Sequence, residues 1–356
     1  MLYPRKYFFN FILVLVLTLA CVDSAYSWGD LGHSTVGYIA DYKLTKKARN
    51  MVYQIIGPEP LAFSAVFPDH VRSDNRYNSF VLYHFLEVKL GKTFADLKLS
   101  DRAEKDADTI ISQAPALLVD PSLSRDQKMI LLRYLVHLVG DVHQPLHIGN
   151  GLDRGANLCD IKWTHPSTGK TEIENLHSFW DDRIMTFIEQ DFRDVAPAGK
   201  KPWFGYREFG DMLLKENQSQ ADAVNYEKIV KDIPGTWYTE SQELQAIAYP
   251  NAATVKPKDR AYCKTVDENG KVINGIYDAA KIPEITNDFV KKAIPAVKRR
   301  LLMAGFRLAG MLNQLAEAHN FKEIDKDADA KIFDPILLTN KEPGAARSPN
   351  NKKLKK

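Results

Sequence analysis

Residues 126–147 read DQKMILLRYLVHLVGDVHQPLH, a stretch that combines a helical pattern with three of the nine histidines of the chain. Its apolar residues recur with a helical period, at Met129, Leu131, Leu132, Leu135, Val136, Leu138 and Val139. The stretch opens on an acidic residue, and Pro145 blocks the helix from continuing. The spacing therefore predicts a helix with a wide apolar face over residues 126–142.

Further helical patterns flank this segment on both sides. They cover residues 103–118, 174–188 with a start at Asn175, and 284–318, where Pro295 predicts a division into two helices. Strand signals are few, and residues 161–163 and 171–173 could form a short hairpin around the turn at 166–169. Since no repeat or interior linker is present, we predict an all-α fold, a single domain with at most a short β-hairpin.

Composition excludes several classes of protein. The 356 residues are 45% hydrophobic and 26% charged, which argues against a disordered, collagen-like or disulfide-dense chain. A net charge of +3 is too small for a protein that wraps nucleic acid. The basic excess lies in the last residues, and the polar, basic segment 336–356 is predicted to be disordered, most simply as a solubilising tail. The predicted globular domain spans residues 28–335.

The first 27 residues have the pattern of a secretory signal peptide. Arg5 and Lys6 precede an apolar run from Phe8 to Ala20, and Ala25-Tyr26-Ser27 is a small-x-small cleavage site. Cleavage would leave Trp28 as the first residue of an exported protein, periplasmic or extracellular. The run is shorter than the roughly 20 residues that a membrane-spanning helix needs, so we expect no stable membrane association after cleavage.

Two alternatives to a signal peptide remain for the first 27 residues. The segment could be a membrane anchor, or Cys21 could carry a lipid, although Thr18 stands where a lipobox usually has leucine.

Export would leave Cys159 and Cys263 in an oxidising compartment, where two thiols can pair. Sequence alone leaves a disulfide and two free thiols equally open, and it does not indicate the oligomeric state.

Histidine and aspartate recur at helical spacing. His137 and Asp141 are four residues apart, so they leave the same face of the predicted helix, and His177 and Asp181 repeat this spacing. His147 follows just beyond Pro145. One such pair could be a hydrogen-bonded pair in the core, but two buried carboxylates in one region need a cation. Imidazole and carboxylate are suitable ligands for zinc, so the pattern favours a metal site.

A longer set of motifs resembles one enzyme family. In chain order it comprises Trp28-x-x-x-Gly-His33, Asp69-x-x-Arg72, His84-Phe85, His137-x-x-x-Asp141-x-His143-Gln-Pro-Leu-His147, His177-x-x-x-Asp181 and Gly305-Phe-Arg-Leu-Ala309-Gly-Met-Leu-Asn313. This set is similar to that of the S1/P1 nucleases, secreted zinc-dependent phosphodiesterases. The resemblance implies hydrolysis of single-stranded DNA or RNA to 5′-mononucleotides and activity on 3′-nucleotides.

The resemblance also implies a cluster of three Zn²⁺ ions. By the family pattern, the first ion would be bound by Asp69, His84, His137 and Asp141. The second would be bound by His147, His177 and Asp181, and the third by Trp28, His33 and Asp141. Asp141 would bridge two ions. The Trp28 ligands would be the amine that signal cleavage exposes and the backbone carbonyl.

Two residues are implied to act on the phosphate. Asp69 would orient a zinc-activated water for attack on phosphorus. Arg72 would donate its planar fork to a phosphate oxygen, one turn from Asp69 if that segment is helical. The alternative for Arg72 is a structural salt bridge to Asp69 or Asp74.

Substrate contacts are implied at three positions, two of them in segments that depart from the family pattern. Phe85 would stack on a base, with core packing as the alternative. Glu87 stands where family members commonly carry an aspartate that contacts the base. Asn157 is expected near the substrate, but its segment reads Gly155-Ala156-Asn157 in place of the usual Gly-Gly-Asn.

Three other functions remain open from sequence, and the nearest is a 3′-nucleotidase of low activity that mainly scavenges phosphate. Zinc phospholipase C has a similar metal layout, but it tends to have a longer interval between the N-terminal tryptophan and histidine, and glutamate at the position of Asp181. An exported protein that binds zinc without turnover is the non-enzymatic alternative.

Overall fold

The computed structural model describes residues 28–98, 105–196 and 202–323. The predicted signal peptide, the last residues of the predicted domain (324–335) and the predicted tail (336–356) lie outside these ranges. Within them, no helix combines the length and the apolar character required to cross a bilayer.

Helices dominate the described residues, which confirms the all-α prediction. In chain order they are α1 (Gly29–Lys43), α2 (Lys46–Ile56), α3 (Leu61–Ser64), α4 (Phe67–His70), α5 (Ala107–Val119), α6 (Arg125–Asp141), α7 (Leu176–Ser178), α8 (Ile184–Asp194), α9 (Tyr206–Ser219), α10 (Tyr226–Ile229), α11 (Pro234–Glu243), α12 (Gln245–Ala248) and α13 (Asn287–Ala318). Short 3₁₀ segments include Asn75–His84 and Pro145–His147, and Phe179–Arg183 forms a π-helical turn between α7 and α8.

The predicted helix over residues 126–142 is α6, within one residue at each end. Ser124 starts it with a capping box, because its hydroxyl accepts from the Gln127 N–H while the Gln127 side chain accepts from the Ser124 N–H. From Leu132 onward nearly every residue of α6 is buried. The helix contacts α5, α13 and α3, so its C-terminal half lies in the centre of the core.

The predicted division of the last helical segment at Pro295 is wrong. The structure has one 32-residue helix, α13, with Pro295 in its interior. Proline removes one backbone donor and crowds the carbonyl four residues earlier, but the buried stripe of Val290, Ala293, Val297 and Leu301 continues on both sides of it. Helix α13 as a whole packs against α1 and α6, and this packing stabilises it despite the interior proline.

The predicted hairpin is confirmed as β3 (Asp160–Thr164) paired antiparallel with β4 (Thr171–Asn175). Asn175 ends β4 and starts α7, where its side chain accepts from the Ser178 N–H. The structure exceeds the single predicted hairpin by two further pairs, β1 (Leu86–Glu87) parallel to β2 (Ile148–Gly149), and β5 (Thr265–Val266) antiparallel to β6 (Val272–Ile273). Two-residue strands carry too little periodicity to be recognised in sequence.

Cys159 and Cys263 form a disulfide, so the first of the two possibilities for these thiols is confirmed. Both residues are buried, and the bridge spans 104 positions of the chain. A backbone hydrogen bond from the Lys264 N–H to the Leu158 carbonyl joins the same two segments of the chain.

Loss of this disulfide is expected to lower the free energy of unfolding by about 2–4 kcal/mol, because it closes a long loop in the unfolded chain. Urea unfolding of a Cys159→Ser/Cys263→Ser double variant measures the effect. Reductant should shift the midpoint of the wild-type protein and leave that of the double variant in place. Equal midpoints for the oxidised and reduced wild type would contradict the expectation.

Candidate metal centre

Buried histidine and aspartate side chains from α1, α4, α6 and the π-helical turn meet at one place. Three groups have ligand atoms that all lie within 4.8 Å of one another: the Asp69 group (Asp69, His84, His137), the His177 group (His147, His177, Asp181) and the His33 group (His33, His137, Asp141). Eight of the nine residues predicted as metal ligands lie in these groups, and the ninth, Trp28, begins the segment that carries His33.

Asp141 occupies the middle of the centre. Its Oδ1 lies 3.3 Å from Nε2 of both His33 and His137, and its Oδ2 lies 3.1 Å from Nδ1 of His84. His137 and Asp141 reach this point from one face of α6, as their spacing predicts. Asp69 approaches from α4, with Oδ1 3.7 Å from His137 Nε2.

The His177 group depends on an irregular helix. His177 lies in α7 and Asp181 in the π-helical turn that follows, with His177 Nε2 3.2 Å from Asp181 Oδ2. His147 ends the 3₁₀ segment after α6, and its Nε2 lies 3.7 Å from Asp181 Oδ1. π-Helical turns are found frequently at functional sites, and this one carries a candidate ligand.

The N-terminal residues of α1 complete the centre. Trp28 is fully buried, and its indole N–H donates to the carbonyl of Gly140 at 2.9 Å. A side chain at Gly140 would place its Cβ 2.8 Å from His33 Nδ1, so only glycine lets His33 lie this close to α6. The Trp28 carbonyl accepts from the Gly32 N–H.

Backbone carbonyls hold the imidazoles in fixed orientations. Nδ1 of His137 bonds to the Ala65 carbonyl at 2.6 Å, Nδ1 of His147 to the His84 carbonyl at 2.7 Å, and Nδ1 of His177 to the Gly155 carbonyl at 2.6 Å. The proton is thereby placed on Nδ1, and Nε2 is the ring nitrogen left to face the centre. Nε2 of His147 has no hydrogen-bond partner, whereas Nε2 of His137 lies 3.0 Å from His84 Nδ1. Histidine ligands of metals are commonly held in this way.

The donor atoms that face the centre fit metal ions. Among the described residues, buried side-chain atoms without a hydrogen-bond partner include several at this site: both ring nitrogens of His33, Asp69 Oδ1, both carboxylate oxygens of Asp141, His147 Nε2 and Asp181 Oδ2. Burial without a partner costs about 1–3 kcal/mol per group, and more for a charged one. Cations at the centre would satisfy the oxygens of Asp69, Asp141 and Asp181 and one ring nitrogen each of His33 and His147.

Electrostatic interactions within the centre are strong. Burial by itself would raise the pKa of Asp141, but the facing imidazoles of His137 and His147 outweigh it and hold that pKa well below its usual range. Burial would likewise lower the pKa of His137, but Asp141 and Asp69 raise it to about 9. Burial dominates at His33 and His84 and lowers the pKa of both.

Arg72 lies at the edge of the centre. Helix α4 ends at His70, so Arg72 follows in a turn, joined to Asp69 by a 3.2 Å hydrogen bond from its N–H to the Asp69 carbonyl. Its positive charge helps to lower the pKa of His177, after burial and the neighbouring His147. Arg76 forms the close salt bridge to Asp74, at 2.6 Å.

The three predicted substrate contacts lie in segments next to the ligands. The half-buried Phe85 stacks on His147 with ring centroids 5.1 Å apart. Glu87 is exposed on β1, yet the burial of its carboxylate against the β2 loop raises its pKa, while the Gly151 N–H opposes that shift. Asn157 turns its amide back to the Arg154 carbonyl at 2.9 Å.

A left-handed loop supports His177. Arg154, Gly155 and Ala156 have φ angles of 52°, 60° and 65°. A Cβ at Gly155 would lie 2.2 Å from the Leu146 carbonyl oxygen, so this position requires glycine. Ala156 adopts the conformation that the family's second glycine would take freely, and its N–H donates to the buried Asp153 at 2.9 Å.

Gln144 is a site residue that the sequence analysis passed over. Its side-chain amide donates to Asp181 Oδ1 at 2.7 Å, which leaves Oδ2 facing the centre. The only signal in sequence is its place between His143 and His147, because an uncharged amide does not stand out in a search for metal ligands.

Comparison with known proteins gives consistent matches along nearly the whole described chain. A family model described as S1/P1 Nuclease matches residues 28–317. The chain is similar to Nuclease S1 of Aspergillus oryzae, with 24% identity over 306 residues that cover 84% of this chain and 95% of the relative. Endonuclease 3 of Arabidopsis thaliana is 27% identical over 325 residues (86% and 95%), and Nuclease P1 of Penicillium citrinum is 24% identical over 299 residues (81% and 97%).

Proposed function

Because this chain belongs to the S1/P1 nuclease family, we propose that it is an exported zinc-dependent hydrolase of single-stranded DNA and RNA. Its products would be 5′-mononucleotides, and 3′-nucleotides would also be substrates. The observation that carries the proposal is the buried centre, where imidazole and carboxylate atoms from three groups converge and several of them have no hydrogen-bond partner.

The donor set fits three zinc ions, since imidazole and carboxylate are zinc ligands and amine nitrogen is the same donor type. Asp69, His84, His137 and Asp141 would hold one ion, and the His177 group a second. The third would bind the amine and carbonyl of Trp28 together with His33 and Asp141. Two dications can share Asp141 because both of its oxygens face the centre.

The chemistry is hydrolysis of a phosphate ester. Bound zinc would supply Lewis acidity that lowers the pKa of a water to about 7. Asp69, with Oδ1 buried and without a hydrogen-bond partner, would accept a hydrogen bond from the attacking water and orient it. Water forms the new bond to phosphorus as the bond to the 3′ oxygen breaks, and the proton of the water passes to the departing oxygen. Arg72 would donate to a non-bridging phosphate oxygen.

Single-stranded substrate would enter beside His147 and β1. Phe85, which stacks on His147 through one face, would offer its other face to a base, and Glu87 would accept a hydrogen bond from a base edge. Asn157 lies on the loop that supports His177, so it would border the same opening. Stacking on an aromatic ring suits single strands, because every base has a face to stack.

Export is part of the proposal. Cleavage after Ser27 would expose the Trp28 amine, and the matched region begins at the same residue. The Cys159–Cys263 disulfide supports an oxidising compartment. The mature enzyme would be periplasmic or extracellular, with the basic tail beyond residue 335 as a solubilising segment.

An assay of the purified mature protein on single-stranded DNA, RNA, 3′-AMP and phosphatidylcholine tests the activity. We expect 5′-mononucleotides from both nucleic acids, phosphate release from 3′-AMP, and loss of each activity with chelator. Phosphocholine as the sole product would indicate that the protein is a phospholipase C instead of a nuclease. Bound zinc without turnover on any substrate would indicate a zinc-binding protein.

Replacing Arg72 by alanine is expected to lower kcat about 10²- to 10³-fold, the usual effect of removing one donor to transition-state charge. Metal content should be unchanged, because Arg72 supplies no ligand atom. Arg76→Ala is the matched control, since Arg76 is an exposed arginine four residues on, paired with Asp74. Full activity in Arg72→Ala, or a loss of metal from it, would contradict this role.

A further inference from the structure

The motif Gly305-Phe-Arg-Leu-Ala309 lies on α13, and the centre does not use it directly. Its arginine, Arg307, and Arg300 two turns earlier have side chains with 0% and 3% exposure. Buried guanidinium groups need partners for their charge and for their five N–H donors. The partners of these two arginines lie at the C-terminal end of α6.

Arg307 bonds to the imidazole that follows Asp141 by two residues. Its Nη1 lies 3.1 Å from His143 Nε2, and its other bonds go to Glu240 and to Asp232 at 2.7 Å. His143 Nδ1 lies 2.7 Å from the Val139 carbonyl. Because a guanidinium can only donate, Nε2 is the acceptor and the proton lies on Nδ1, which donates to Val139.

Arg300 binds the same end of the helix from a second side. Its Nε donates to the His143 carbonyl at 3.1 Å, and its Nη2 donates to the Ser241 hydroxyl at 2.6 Å and to the Trp237 carbonyl at 2.9 Å. The Ser241 hydroxyl donates in turn to the Val142 carbonyl at 2.6 Å. Carbonyls at a helix C-terminus lack helical partners, and positive charge is favourable there.

This helix end carries the groups that join the proposed metal sites. Asp141, shared between two sites, lies within the bonded turn, and Gln144 follows it and holds Asp181. Building on the proposed function, we propose that Arg300 and Arg307 are positioning residues, which set the geometry of Asp141 and Gln144 and thereby the occupancy of the centre. Misplacement by about 1 Å is enough to impair such a site.

Stability alone is a poor explanation for this cluster. Two guanidinium groups face the carboxylates of Glu240 and Asp232, and apolar residues of similar volume often replace a buried ionic cluster at no cost in stability. Apolar side chains could not bind the His143 ring and carbonyl, or orient the Ser241 hydroxyl toward Val142. Orientation of the ligand turn is the property that requires these charged groups.

Two variants test the proposal, Arg307→Lys, which keeps the charge and loses the fork, and Ser241→Ala, which removes no charge. Arg299→Lys is the matched control, because Arg299 lies on the same helix with a side chain 48% exposed. The measurements are the rate of zinc release to excess chelator and the visible spectrum of the Co²⁺-substituted protein. We expect release about 10- to 100-fold faster and an altered spectrum in both test variants, with the control unchanged.

Variants that melt earlier but keep the wild-type release rate and Co²⁺ spectrum would overturn the proposal, because the cluster would then be structural only. If Arg307→Lys fails to fold, Ser241→Ala decides by the same measurements. A wild-type protein that binds no metal would refute the proposed function instead, so the two failures are distinguishable.

Discussion

Asp141→Asn is expected to lower kcat/KM about 10²- to 10⁴-fold and to reduce the bound metal by at least one ion per molecule. Both carboxylate oxygens are buried, lack a hydrogen-bond partner and lie 3.1–3.3 Å from the ring nitrogens of His33, His84 and His137. The amide removes the shared negative charge and turns an NH₂ group toward a position that needs a lone pair. Removing one partner of a buried charged pair costs about 3–5 kcal/mol, and each 1.36 kcal/mol is a factor of ten.

Asp182→Asn is the matched control for this variant. Asp182 follows the ligand Asp181, but its side chain is 53% exposed and paired with Arg183. The same change of charge and shape should therefore leave metal content and activity near wild type. An Asp141→Asn enzyme with full activity and full metal content would contradict the proposal that two metal ions share Asp141.

Sequence predicts the approach of the two histidine–aspartate pairs because spacing on a helix determines which side chains share a face; the rest of the proposed ligand set rests on the family resemblance. His137 and Asp141 meet as their four-residue interval predicts, and His177 and Asp181 meet although Asp181 lies in a π-helical turn. Spacing does not show which ring nitrogen faces the centre. That choice depends on carbonyls of residues distant in the chain, such as Ala65 opposite His137, and these have no signature in sequence.

The fold was less predictable where packing overrides local preference. Pro295 indicates a break, but the apolar stripe of α13 continues through it. The pairing of β1 with β2 joins the segments after His84 and His147. Each strand has two residues, which are too few to show the alternation of polar and apolar residues that indicates a strand. Gln144 and Arg307 act through contacts with residues 37 and 164 positions away, so their roles required the folded chain.

Removal of the metal ions is expected to abolish activity and to lower the melting temperature by about 10–20 °C. One site occupied at 100–1,000 times its Kd contributes about 2.7–4.1 kcal/mol to stability. Unfolding entropy is about 2.1 cal/mol/K per residue, so three such sites account for a shift of this size in a domain of this length. The side chains of Asp69, Asp141 and Asp181 are at most 2% exposed. Without cations, the free-energy cost of removing these carboxylates from water would no longer be offset by metal binding.

Calorimetry with and without chelator measures the shift, and the Asp141→Asn variant should show a smaller one because it begins with fewer ions. Zn²⁺ should restore both melting temperature and activity, whereas Mg²⁺ should not, because imidazole nitrogen is a poor ligand for a hard cation. Metal loss should become easier as pH falls, since each imidazole must be neutral to bind and the carboxylates favour protonation of His137. An unchanged melting temperature together with unchanged activity after exhaustive chelation would mean that the unpartnered buried atoms of the centre are stabilised by something other than metal.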